Sequence, residues 1–132
     1  MIDNNPKLER SELKKLKNKP FKINTQQREC VLEAILQVCR YRKWDAYAVH
    51  VRSNHVHAVI ASKAKPEKIL TDLKTYSTRT LRKNFVGLPE KIWTRHGSTR
   101  YLWNENQLSN AIKYVREQQG KLMAFGQTEK LE

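Results

Sequence analysis

The chain has 132 residues, 39% of them hydrophobic, which suits one domain with a modest core. No apolar stretch is long enough to cross a bilayer, and Met1-Ile2-Asp3-Asn4-Asn5-Pro6 has no apolar signal core, so a cytoplasmic protein is expected. The 26 Lys+Arg against 13 Asp+Glu give a net charge of +13, a surface suited to polyanions such as nucleic acid; a membrane surface is disfavoured, because no segment pairs a basic face with a strongly apolar one.

Residues 7–19 carry Lys7, Arg10, Lys14, Lys15, Lys17 and Lys19, with Leu13 and Leu16 at helical spacing, and Pro20 closes this basic N-terminal segment. The lysines of residues 14–22 read as a solvated face. Asn24-Thr25-Gln26-Gln27 has the form of a capping box. Val31, Leu32, Ile35, Leu36, Val38 and Cys39 follow at helical period, which predicts a helix to about Tyr41 or Arg42. Cys30 and Cys39 share this helix roughly 13 Å apart along its axis, too far for a disulfide, and read as small apolar residues. Trp44 reads as core.

Residues 46–51 alternate, placing Tyr47, Val49 and Val51 on one face and Ala46, Ala48 and His50 on the other. Arg52-Ser53-Asn54 forms a polar turn, and residues 55–61 form the second strand of an antiparallel hairpin. Pro66 opens the next helix, with Ile69, Leu70, Leu73, Tyr76 and Leu81 as its core face. Lys74, Thr75, Thr78, Arg79, Arg82 and Lys83 form a basic, hydroxyl-bearing face, and Gly87 and Pro89 end the helix. Two short strands are predicted around Gly97-Ser98. Asn104 and Gln107 frame a second capping box, Leu108, Ala111, Ile112 and Val115 form the buried stripe of the last helix, and Gly120 stops it. The tail over 121–132 is expected to fray. The layout is α+β, an antiparallel sheet with helices mainly on one face, in a single domain over 1–132.

Within Ser53-Asn54-His55-Val56-His57-Ala58-Val59-Ile60, His55 and His57 share one strand face while Val56 points to the other. Two imidazoles make half of a metal site. Tyr114 and Gln118 lie one helical turn apart, on the flank of the last helix, roughly 70–110° from the centre of its apolar stripe. A tyrosine can attack phosphorus and conserve the bond energy as a phosphotyrosine. Imidazole nitrogens and an amide oxygen leave Mg²⁺ or Mn²⁺ open positions for phosphate oxygens and water, which makes Gln118 a candidate third ligand. None of Tyr41, Tyr47, Tyr76 and Tyr101 has a glutamine one turn later. The blander alternatives are a structural His-x-His and a tyrosine at the core edge. His50 and His96 are read as satisfied or DNA-facing histidines.

His55-Val56-His57 resembles the histidine–hydrophobic–histidine (HUH) motif of single-strand endonucleases, and Tyr114 with Gln118 resembles the tyrosine helix of the single-tyrosine HUH transposases, the insertion-sequence-two-hundred-like group. The chain is most similar to the REP-associated tyrosine transposases in that group. The segments Val51-Arg52-Ser53-Asn54-His55-Val56-His57, Trp93-Thr94-Arg95-His96-Gly97-Ser98-Thr99-Arg100-Tyr101-Leu102-Trp103 and Tyr114-Val115-Arg116-Glu117-Gln118-Gln119-Gly120 carry the likeness, which spans about residues 20–120.

The resemblance implies a ferredoxin-like sheet and a transposase or nickase that cleaves and rejoins hairpin-associated single-stranded DNA through a 5′-phosphotyrosine. Tyr114 would be the nucleophile, and His55, His57 and Gln118 would hold the Mg²⁺ or Mn²⁺. Lys74, Arg79, Arg82, Lys83, Arg95 and Arg100 would contact phosphates, and Trp93 and Trp103 would stack on bases or pack in the core. Family members open with a central strand, and residues 1–19 carry no strand pattern. Two other readings stay open: a truncated or domesticated remnant that only grips DNA or RNA, and a nuclease using water attack. Also open is whether Tyr114 meets the histidines of its own chain or those of a second copy in a homodimer.

Overall fold

The structure is a computed structural model that describes residues 21–93, 104–117 and 122–128. The basic helix expected over 7–19, the two strands expected around Gly97-Ser98 and the stop at Gly120 lie outside the described residues.

Helix α1 (Thr25–Arg42) starts where the capping box predicts. Asn24 Oδ1 accepts from Gln27 N, and Gln27 Oε1 accepts from Asn24 N, both at 2.8 Å, so two helix-start donors are satisfied reciprocally. The helix ends on Lys43 in the left-handed region (φ 61°), and Trp44 N–H donates back to Cys39 O at 2.8 Å. Both cysteines are free.

Strands β1 (Asp45–Val51) and β2 (Val56–Ala61) form the predicted antiparallel hairpin, with Val51 opposite Val56 and His50 opposite His57. A hydrogen bond from Arg52 N–H to His55 O (2.9 Å) closes the turn, and Ile23 N–H donates to Ser53 O (2.7 Å), tying the turn to the approach to α1. The register slips between Ala46 and Ala48, a β-bulge. The bulge corrects the face assignment of Ala46. Ala46 packs with Val49 and Val51 in the main core, and Tyr47, expected on that face, also changes sides and packs with Ala48 on the opposite one.

Helix α2 (Pro66–Asn84) begins with Pro66 in its first turn and packs on α1. Asp72 reaches Arg42 of α1 and Lys68 of its own helix, each at 3.4 Å. Past its end, Arg82 donates to Pro89 O and Glu90 O, folding the connection back along the helix. Helix α3 (Glu105–Glu117) has Asn104 as its cap, with Oδ1 accepting from Gln107 N at 2.9 Å.

Two expectations are corrected. The tail is not frayed throughout: β3 (Ala124–Gly126) pairs antiparallel with β1, giving the order β2–β1–β3 among the described residues. Thr128 continues the attachment at the bulge, where Ala46 N–H donates to Thr128 Oγ1 (2.8 Å) and Thr128 N–H to Ala46 O (3.0 Å). Gly126 faces α1 so closely that a Cβ there would sit 2.9 Å from Leu36 Cδ1. The helices are also not mainly on one face. Helices α1 and α2 share the main core with Ala46, Val49, Val51 and Ala58, while α3 covers the other face through Ala111 and Val115 against Ala48 and Val59. The β-strand alternation forces this division, because Ala48 and Val49 are adjacent and must point into different layers.

The fold is therefore α+β, three helices packed against a three-stranded antiparallel sheet among the described residues. No described helix is long and apolar enough to cross a membrane.

Candidate active site

His55 and His57 lie at the turn end of the hairpin with ring centroids 4.6 Å apart and planes nearly perpendicular (88°). Their shared orientation follows from the two-residue strand period. His55 is exposed and His57 is buried, so the pair spans from solvent into the sheet. His55 Nδ1 lies 2.7 Å from Asn54 Oδ1. An amide oxygen only accepts, so Nδ1 carries the proton and Nε2 presents a lone pair, the orientation outer-shell partners impose on metal-binding histidines. The donor set therefore fits a cation in two positions. No group of three or more His, Cys, Asp or Glu side chains converges among the described residues, so a further ligand has to be of another type or come from elsewhere. Gln118 lies outside the described residues.

Tyr114 is half-buried on α3, at the core edge where its position beside the apolar stripe places it. The roll of α3 shows which edge. Arg116 sets its guanidinium 5.1 Å from the Phe125 ring centroid on β3, so the Arg116 flank points toward β3. Tyr114, two residues earlier, is about 200° away round the helix. Its flank is therefore on the side of α3 away from β3. A groove of about 500 Å³ lined by Lys113, Arg116 and Leu122 lies on the β3 flank, away from Tyr114.

His50 is fully buried at the centre of this face. Its Nδ1 is 2.9 Å from Val115 O, and its Nε2 accepts from Met123 N–H at 2.9 Å, which makes it the satisfied rather than the DNA-facing histidine. Burial pushes the His50 imidazole below its ordinary pKa; the bond to Val115 opposes that shift and the nearby Arg52 charge reinforces it. Sequence reasoning left His50 without a partner because Val115 and Met123 lie far along the chain. The available signal was the four-residue turn, which sets His50 opposite His57.

The basic residues of α2 lie in the other layer. Arg79 and Lys83 are exposed and Lys74 is half-buried. Arg82 is engaged with two loop carbonyls. Trp93 Nε1–H donates to Thr78 Oγ1 at 2.8 Å and its ring packs on the main core, in line with a core role. Arg95, Arg100, Trp103 and His96 lie outside the described residues.

A family model described as "Transposase IS200 like" matches residues 14–118. The chain belongs to the IS200-like transposase family. The match takes in both histidines, Tyr114 and Gln118. No curated protein and no solved structure gave a match.

Proposed function

We propose that this IS200-like transposase cleaves and rejoins single-stranded DNA next to hairpins, with Tyr114 as nucleophile and residues 1–132 acting as one HUH domain. The observation that carries the proposal is the packing of α3, the tyrosine helix, on the sheet face of Val59, the face that the strand period also gives to His55 and His57. The phenol oxygen of Tyr114 bonds to phosphorus and gives up its proton. The P–O3′ bond breaks, and the departing oxygen takes a proton to become a free 3′-hydroxyl. The 5′-phosphate stays on the tyrosine, and reversal of the step by another 3′-hydroxyl rejoins the strands.

His55 and His57, with Gln118 as third ligand, would hold Mg²⁺ or Mn²⁺, which when bound polarises the phosphate and offsets its charge. Asn54 orients His55 for that duty through its side-chain oxygen. The exposed Arg79 and Lys83, with Lys74, supply phosphate contacts on the α2 layer, so a strand reaching both them and Tyr114 passes round the edge of the sheet. Arg95, Arg100 and Trp103 are proposed as further DNA contacts.

The test is incubation with an end-labelled single-stranded hairpin oligonucleotide and Mn²⁺, followed by denaturing electrophoresis. A covalent adduct, lost in Tyr114→Phe and reduced in His57→Ala, is expected. Cleavage that survives Tyr114→Phe would point to water attack, and binding without cleavage to a DNA-gripping remnant.

A further inference from the structure

His50 joins three elements through one ring. It stands in β1, bonds the last turn of α3 at Val115 O, accepts from Met123 N–H at the entry to β3, and meets the Phe125 ring edge-on with centroids 6.0 Å apart. A backbone N–H only donates and a carbonyl only accepts. Nε2 is therefore the acceptor and Nδ1 carries the proton, so one neutral tautomer satisfies both bonds.

Both partners matter to Tyr114. Val115 is its neighbour in the chain, and its carbonyl lies in the helix turn where backbone acceptors run short of intrahelical donors. The apolar contacts of Ala111 and Val115 with Ala48 and Val59 hold α3 on the sheet, but such contacts have no preferred direction and leave the helix free to slide or roll. A hydrogen bond of defined length and angle removes that freedom. On its other side, His50 is the ladder partner of His57, so the β1–β2 pairing fixes it to the histidine strand.

We propose that His50 is a positioning residue that seats the tyrosine helix against the histidine strand, acting through the Val115 carbonyl. Fully buried, it touches no DNA. The proposal rests on Tyr114 being the nucleophile, and misplacing a nucleophile by about 1 Å costs about 100-fold in rate.

The experiment compares the full chain with His50→Asn, whose amide N–H can occupy the Nδ1 position, and His50→Gln, whose amide reaches the Nε2 position instead. Single-turnover adduct formation at saturating hairpin DNA is measured beside DNA affinity and urea stability. The expected result is an adduct rate about 100-fold lower in His50→Gln, within about 10-fold of wild type in His50→Asn, and DNA affinity within about 2-fold in both. Equal rates in the two variants, or rates that fall only in proportion to the folded fraction, would overturn the proposal. Nitrogen-15 NMR of the wild-type imidazole decides if neither variant folds or if the wild type forms no adduct, the latter counting against the nucleophile reading itself. A slowly exchanging Nδ1–H supports the tether, and an Nε2–H tautomer overturns it.

Discussion

Replacing Thr128 with valine removes one hydroxyl and keeps the shape of the side chain. In the folded protein that hydroxyl accepts from Ala46 N–H at 2.8 Å, at the bulge where β1 loses its regular pairing with β2. Ala46 is 1% exposed, so its N–H has little access to water once the hydroxyl is gone. A buried donor left unsatisfied costs about 1–3 kcal/mol. Thr128 itself is half-buried, and the bond from its own N–H to Ala46 O survives, which places the expected loss near the lower half, about 1–2 kcal/mol. For a domain of this size that lowers the melting temperature by roughly 3–8 °C. Urea denaturation followed by circular dichroism measures the loss directly, with the m-value unchanged, and amide exchange should speed up at Ala46. Thr128→Ser retains the hydroxyl and should stay within about 0.5 kcal/mol of wild type. An unshifted urea midpoint in Thr128→Val would refute the docking of the tail on the bulge.

Other consequences follow from the same structure. Because burial holds the His50 pKa below its unfolded value, the unfolded chain takes up a proton that the folded chain refuses; stability is fully present above about pH 6.5 and falls as pH drops through the window beneath it, by at most about 1.4 kcal/mol per pH unit for this one group. The stability difference between wild type and His50→Asn should shrink as pH falls from 7.5 to 5 in urea titrations, and a constant difference would contradict the assignment. Burial pushes the Cys39 thiol up to about 11, so native Cys39 should resist a thiol-specific disulfide reagent at pH 8 and react on unfolding, whereas rapid native labelling would contradict its burial. Arg79→Ala with Lys83→Ala should weaken hairpin-DNA binding and reduce the salt slope by about 2, while Arg82→Ala, which also breaks the loop bonds to Pro89 and Glu90, should lower stability as well; salt-dependent anisotropy titrations and urea melts separate these effects.

The parts of the fold legible in sequence are those set by neighbours in the chain. Asn24 and Gln27 form their capping box within four residues, and Asn104 caps α3 in the same local way. The hairpin and the spacing of His55 and His57 follow from strand period alone. The parts that were not legible depend on distant partners. Ala46 departs from the strand alternation because Thr128, far along the chain, takes its backbone groups. Ala124, Phe125 and Gly126 have little strand propensity as a tripeptide, and they become a strand because β1 offers an edge and α1 leaves room for a residue without a side chain at Gly126. The layer that α3 occupies is likewise decided by the other side of the sheet, already filled by α1. At the candidate site, His-x-His and the tyrosine at the core edge could be read directly. The role of His50 could not, because both of its bonds cross more than 60 positions of sequence.

The most direct measurement of the central claim is peptide mapping of the protein–DNA adduct. After reaction with single-stranded hairpin DNA and Mn²⁺, nuclease trimming and trypsin digestion, mass spectrometry should find the residual 5′-phosphonucleotide on the peptide that carries Tyr114, between the cleavage sites at Lys113 and Arg116. A nucleotide carried instead by Tyr41, Tyr47, Tyr76 or Tyr101, or cleaved DNA with no protein-linked nucleotide, would contradict it.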